Sequence, residues 1–119
     1  MTRLLLSLLI LSLVMAKPSF SSDFQKGLKA FNDGDFQTAI RVWTPVAEQG
    51  DAIAQYNLGL LYEKGRGVTP DHQIAFRWYS RAAEGGIPQA QLNLGELYRR
   101  GLGVTKNYQH AVKWYRRAA

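Results

Sequence analysis

Asn57-Leu58-Gly59-Leu60-Leu61-Tyr62-Glu63-Lys64-Gly65-Arg66-Gly67-Val68-Thr69 is written a second time as Asn93-Leu94-Gly95-Glu96-Leu97-Tyr98-Arg99-Arg100-Gly101-Leu102-Gly103-Val104-Thr105. Every identity falls at a step of 36 residues, and the step continues outward. Trp78-Tyr79 and Arg81-Ala82-Ala83 return as Trp114-Tyr115 and Arg117-Ala118-Ala119. Self-similarity at a fixed period of this length is the mark of stacked supersecondary units, so it decides the fold before any local motif does.

Each copy reads as two helices. In the first, Ala54, Leu58, Leu61 and Tyr62 fall at i, i+4, i+7 and i+8, one face of a 3.6-residue period. Gly65 stops it, supplying the left-handed conformation that ends many helices. The Gly-x-Gly-Val-Thr connection reverses the chain, and Thr69-Pro70 reads as an N-cap with proline at the first helical position. Ala75, Trp78, Tyr79 and Ala82 form the apolar stripe of the second helix, which Gly85-Gly86 closes. Ala54, Gly59, Ala75 and Ala82 let the helix axes approach, while Trp78 and Tyr62 fill the space between. Glycine inside a helix costs about 1 kcal/mol relative to alanine, so Gly59 and Gly95 serve packing.

Residues 23–50 read as a shorter hairpin of the same kind. Gly27 and Phe31 lie on its first helix, Asn32-Asp33-Gly34-Asp35 forms a tight turn, and Ala39, Trp43 and Ala47 line its second. Pro45 removes one backbone donor inside that helix, which predicts a kink between Arg41 and Pro45. The organisation is thus a hairpin at 23–50, a full repeat at 51–86 and a final repeat at 87–119, joined through residues 17–22 to an N-terminal leader.

These residues resemble the Sel1-like repeat, a relative of the tetratricopeptide repeat. Ala54, Leu58-Gly59, Tyr62, Gly65, Gly67-Val68, Ala75, Trp78-Tyr79 and Ala82-Ala83 carry the likeness, with their partners 36 residues on. The first hairpin looks more like an ordinary tetratricopeptide unit. The resemblance implies an all-α fold, a right-handed α-solenoid of antiparallel helix hairpins, acting as an adaptor or scaffold for other proteins. It also implies that bacterial members are often exported to work in the envelope, in host contact or in signalling. Relatives rich in paired Cys are associated with β-lactams, a property not expected of a chain with no Cys.

The leader sets the compartment. Met1-Thr2-Arg3 is a short basic start, and Leu4 to Ala16 is apolar apart from Ser7 and Ser12. Such a run is too short to cross a hydrocarbon layer of roughly 30 Å as a helix. Val14-Met15-Ala16 suits a signal peptidase, so residues 1–16 read as a signal peptide and the destination as periplasmic or secreted. An uncleaved anchor is the competing reading, and the lack of a following Cys excludes a lipoprotein.

Cleavage after Ala16 leaves 103 residues, one small domain, with the net charge falling from +6 to +5. With no Cys, stability in an oxidising compartment must come from packing alone, and thiol catalysis and thiolate metal sites are excluded. The positive excess lies late: Arg99, Arg100, Lys106, Lys113, Arg116 and Arg117 meet only Glu96 after residue 90. A basic exported protein can meet anionic lipid, polysaccharide or an acidic partner. Nucleic acid is not expected.

No catalytic constellation emerges. His72 and His110 occupy different repeat positions, stand near no paired carboxylates in sequence and read as solvent-facing helix residues. Gly65-x-Gly67 and Gly101-x-Gly103 follow a helix and lack a Gly-Lys-Ser/Thr ending, so they read as helix stops rather than phosphate loops. The recurring Trp-Tyr pairs read as core rather than sugar-stacking platforms. The expectation is a protein that is not an enzyme and takes no cofactor or metal.

Comparing the two copies separates what stacking demands from what it leaves free. On the first helix the differing sites are 53, 56, 60, 63 and 64, occupied by Ile53, Tyr56, Leu60, Glu63 and Lys64 and then by Gln89, Leu92, Glu96, Arg99 and Arg100. Their spacing makes a second helical face, which lines the concave groove in tetratricopeptide-like superhelices. Phe24 and Leu28 would extend it into the first hairpin. The expectation is a groove with an apolar floor and a basic end, holding a segment of a partner protein with some acidic residues. A capping or dimer contact over this face is the competing reading. For function, binding of peptidoglycan or another envelope polysaccharide is the first alternative, and hydrolysis the second.

Overall fold

The computed structural model describes residues 22–119, so the leader lies outside the described residues. Six helices and no strands occur among them: α1 (22–32), α2 (Phe36–Glu48), α3 (Ala52–Lys64), α4 (His72–Glu84), α5 (Pro88–Arg100) and α6 (Tyr108–Ala118). Each helix from α2 onward packs on the next in the chain, as a solenoid requires. Two apolar clusters form the core. One gathers Ala39, Trp43, Ala47, Leu58 and Leu61, the other Tyr79, Ala82, Leu94, Leu97 and Trp114.

The helix ends follow local chemistry, with one departure from the sequence reading. Asp51, Asp71 and Asn107 cap α3, α4 and α6, each accepting from the backbone N–H three residues on. The cap of α4 is therefore Asp71 and not Thr69. A carboxylate is an equal or better cap than a hydroxyl, and the Asp71 N–H is already tied to the Tyr62 carbonyl at 2.9 Å, which fixes where the new helix begins. Pro70 instead lies against Gly65. Pro45 sits inside α2, which continues unbroken past it to Glu48.

One contact recurs in all three hairpins. Trp43, Tyr79 and Tyr115 follow the 36-residue step, and each ring lies on a glycine of the paired helix, Gly27, Gly59 and Gly95. A Cβ on Gly59 would stand 2.5 Å from the Tyr79 ring, and one on Gly95 2.8 Å from Tyr115. The glycines are there so that a large ring can touch helix backbone. Gly27 precedes Gly59 by only 32 residues because the first turn spans 33–35 while the next spans 65–71. This register equates Phe24 with Tyr56, Leu28 with Leu60, Lys26 with Leu58 and Lys29 with Leu61.

Successive hairpins are joined by two polar features. Gln55 and Gln91 are buried, and their side-chain amides donate to the Ala47 and Ala83 carbonyls at 3.0 and 3.1 Å. Those carbonyls belong to the last turn of the preceding helix, where intrahelical partners run out. Gly67 and Gly103, both with positive φ, set their loops against the first residues of α2 and α4. At Gly103 a Cβ would come within 2.2 Å of the His72 carbonyl oxygen.

Candidate functional site

The first helix of each hairpin, α1, α3 and α5, presents the residues that differ between copies. Phe24, Tyr56 and Leu92 stand at one repeat position, but their surroundings differ. Phe24 is half-buried and stacks on Trp43 with ring centroids 5.8 Å apart. Tyr56 is half-buried with its ring 6.0 Å from Tyr79, and Leu28 and Leu60 are half-buried against the two core clusters. Leu92 and Ile53 are different: 48% and 52% exposed, they are the apolar surface of this face. Gln89 and Arg99 are exposed. Tyr56 and Leu60 thus bind the hairpins together as well as flooring the face.

The polar end is organised by tyrosines. The Tyr79 hydroxyl donates to Glu63 at 3.2 Å, and the Tyr115 hydroxyl donates to Glu96 at 2.8 Å. Burial, followed by the Glu63 charge, pushes the Tyr79 phenol far above its ordinary range. Arg99 grips Glu96 through two guanidinium nitrogens, one at 3.1 Å. Those hydrogen bonds, from Arg99 first and Tyr115 second, hold the Glu96 carboxyl down to about 2. The pairing spends the Arg99 charge, so the basic end rests on Lys64 and Arg100 instead. Neither has an ion-pair partner among the described residues.

A lowered carboxylate gives a signed expectation. The stabilisation is present above the unfolded value near 4.3 and is lost as pH falls through about 2. Titration of Glu96 by carbon-detected NMR should show a midpoint near 2, and Arg99→Ala should bring it up toward 4. An unchanged midpoint in that variant would refute the assignment of the cause. The carboxyl is 42% exposed, so the effect on overall stability is small.

Lys64, Arg100, Glu63 and Glu96 surround a cavity of about 330 Å³ completed by His72, Asn93 and Leu102. His72 is not the solvent-facing residue its sequence context suggests. It is half-buried, and its Nδ1 is enclosed with no hydrogen-bond partner. His110 is exposed and meets the Tyr98 ring edge-on at 4.9 Å. The cavity offers two cations, two carboxylates and an imidazole around one opening, which can recognise a polar or charged side chain. Among the described residues no three His, Asp or Glu side chains converge as a metal ion would need. Nor is any described helix long and apolar enough to cross a membrane.

Of the residues around this cavity, His72, Asn93 and Leu102 lie outside the face read from the sequence. Lys64 and Arg100 were visible as the variable position 64 and its repeat partner. His72 has no such signal, because its enclosure depends on the loop from the following repeat.

The family described as Sel1 repeat matches residues 52–87 and 88–119. Among solved structures, a Sel1 repeat protein from Oxalobacter formigenes is 39% identical, with a TM-score of 0.74 over 80% of this chain and 39% of that one. A protective antigen of uropathogenic Escherichia coli strains, displaying an SLR fold, is 31% identical with a TM-score of 0.81, over 87% of this chain and 23% of that one. Helicobacter pylori cysteine-rich protein B shares the fold at 24% identity and a TM-score of 0.67, covering 84% of this chain and 86% of its own length. This chain therefore spans well under half of the first two relatives. No curated protein matches it.

Proposed function

Because the chain belongs to the Sel1 repeat family, we propose that it is an exported adaptor that holds a segment of a partner protein on the shared face of α1, α3 and α5. Sel1 repeats commonly serve as scaffolds for protein–protein interaction, which supports the general reading. The observation that carries the specific one is the pairing of exposed Ile53 and Leu92 with the charged cavity at Lys64 and Arg100. Stacking leaves these positions free to vary, yet the chain puts large apolar side chains into water there. Apolar anchors beside a few oriented charges are the ordinary composition of a segment-binding surface. The apolar leader and the likeness to a protective antigen support export, to the periplasm or beyond.

The test is a pull-down from envelope extract with the chain and its Ile53→Ser/Leu92→Ser variant as baits. Ile53 and Leu92 are the right probes because Tyr56 also packs on Tyr79, and its truncation would confound binding with stability. The variant should keep its circular dichroism spectrum and lose the captured protein at least tenfold. Capture that ignores both substitutions overturns the reading. Enrichment of cell-wall glycan alone, displaced by salt, would transfer the function to polysaccharide binding by the basic surface.

A further inference from the structure

We infer that the cavity between α3 and α5 receives one carboxylate, the side chain of an Asp or Glu in the partner segment, which rests on the segment-binding reading proposed above. The cavity belongs to the joint between two successive repeats. Its walls come from the end of α3, the start of α4, α5 and the loop that follows α5. Lys64 has no ion-pair partner among the described residues, although the whole of the next hairpin follows it. Its charge is therefore left open by the joint itself.

The hydrogen bonds around the cavity say which charge is wanted. Glu96 is saturated, with both oxygens taken by the Arg99 guanidinium and one of them also accepting from the Tyr115 hydroxyl at 2.8 Å. Glu63 accepts from the Tyr79 hydroxyl at 3.2 Å. Lys64, Arg99 and Arg100 set three positive charges against these two carboxylates, so one positive charge is uncompensated. A single carboxylate neutralises it. A phosphate dianion would carry the balance past neutral beside Glu63 and Glu96, and an ammonium or guanidinium would add to the excess.

The two helices also fix how far that acid stands from an apolar anchor. Tyr56, Leu60 and Lys64 on α3, and Leu92, Glu96 and Arg100 on α5, step by four residues, so each row runs from an apolar side chain to a cation along one helical face. Eight residues of helix separate Leu92 from Arg100, which is about 12 Å. A segment covering Leu92 must carry its acid at about that distance: three or four positions away if extended, seven or eight if helical. A cation in the last turn of a helix complements the helix dipole as well, but that role needs only an exposed position and not two cations on one cavity.

The probe is a phage-displayed library of random peptides, each about 12 residues long so that either spacing fits. It is selected on the chain and, in parallel, on its Lys64→Ala/Arg100→Ala and Ile53→Ser/Leu92→Ser variants, with circular dichroism confirming the fold of each. Peptides that need Ile53 and Leu92 should be enriched in Asp or Glu at one of the two spacings, and the enrichment should vanish on Lys64→Ala/Arg100→Ala. In a synthetic peptide from that set, replacing the acid by its amide should weaken binding about tenfold to the chain and leave binding to that variant unchanged. Peptides that need Ile53 and Leu92 yet show no acid preference, or one that survives the loss of both cations, overturn the carboxylate site and leave the segment-binding face standing. Failure to select any peptide sensitive to Ile53→Ser/Leu92→Ser removes that face and the carboxylate site with it.

Discussion

Trp43→Ala should lower the unfolding free energy by about 4 kcal/mol, the range of a buried aromatic truncated to alanine. Trp43 is 1% exposed, stacks on Phe24, tilts against Phe31 at 5.9 Å and donates its Nε1–H to the Phe24 carbonyl at 3.0 Å. All of those partners lie on α1, as does Gly27 beneath the ring. Truncation therefore opens a cavity in the main contact between α1 and α2. Hydrogen exchange should show α1 amides losing protection first, with α5 and α6 changed far less, because hairpins touch only their neighbours. A uniform loss of protection along the chain would refute this localisation. The equivalent Tyr79→Ala should instead spread its effect, since Tyr79 also anchors Glu63 and contacts Tyr56.

Gly103→Ala should cost about 3 kcal/mol, and hence lower Tm by about 10–20 °C in a domain of this size. Two terms add. The φ of Gly103 is +71°, which disfavours any side chain by about 1 kcal/mol. The added methyl would also stand 2.2 Å from the His72 carbonyl oxygen, and that atom is backbone in the first turn of α4 and cannot swing aside. Gly86→Ala separates the terms. Its φ is +89°, but nothing lies within 4 Å of the added carbon, so only the conformational cost of about 1 kcal/mol remains. Equal losses in the two variants, measured by thermal unfolding, would show that the contact with α4 contributes nothing.

The helical repeat was legible because its signal is redundant: apolar period, helix stops and aromatic pairs all return at the same step. Where the reading failed, the deciding information was not local. Thr69 was a plausible cap until the Asp71 N–H was drawn to Tyr62 across the loop. Gln55 and Gln91 escaped the sequence reading, since nothing in a lone glutamine says that it will be buried against another helix's last carbonyls. Their identity across the two copies was the available clue: an unchanged polar residue is one the stacking requires. The candidate face was only half legible. Variation between copies found Ile53 and Leu92, which are exposed, but equally selected Tyr56 and Leu60, whose variation is absorbed by repacking. The face with its expected basic end included Arg99, which is instead hydrogen-bonded to Glu96.

The joint between hairpins is complete in itself. One glutamine closes the preceding helix and one glycine loop sits on its start. A unit with this property can be copied in tandem: duplicating residues 52–87 would reproduce a joint already present and require no compensating change elsewhere. The first hairpin cannot be copied in this way, because Lys26 and Lys29 would land on positions where the interior demands leucine.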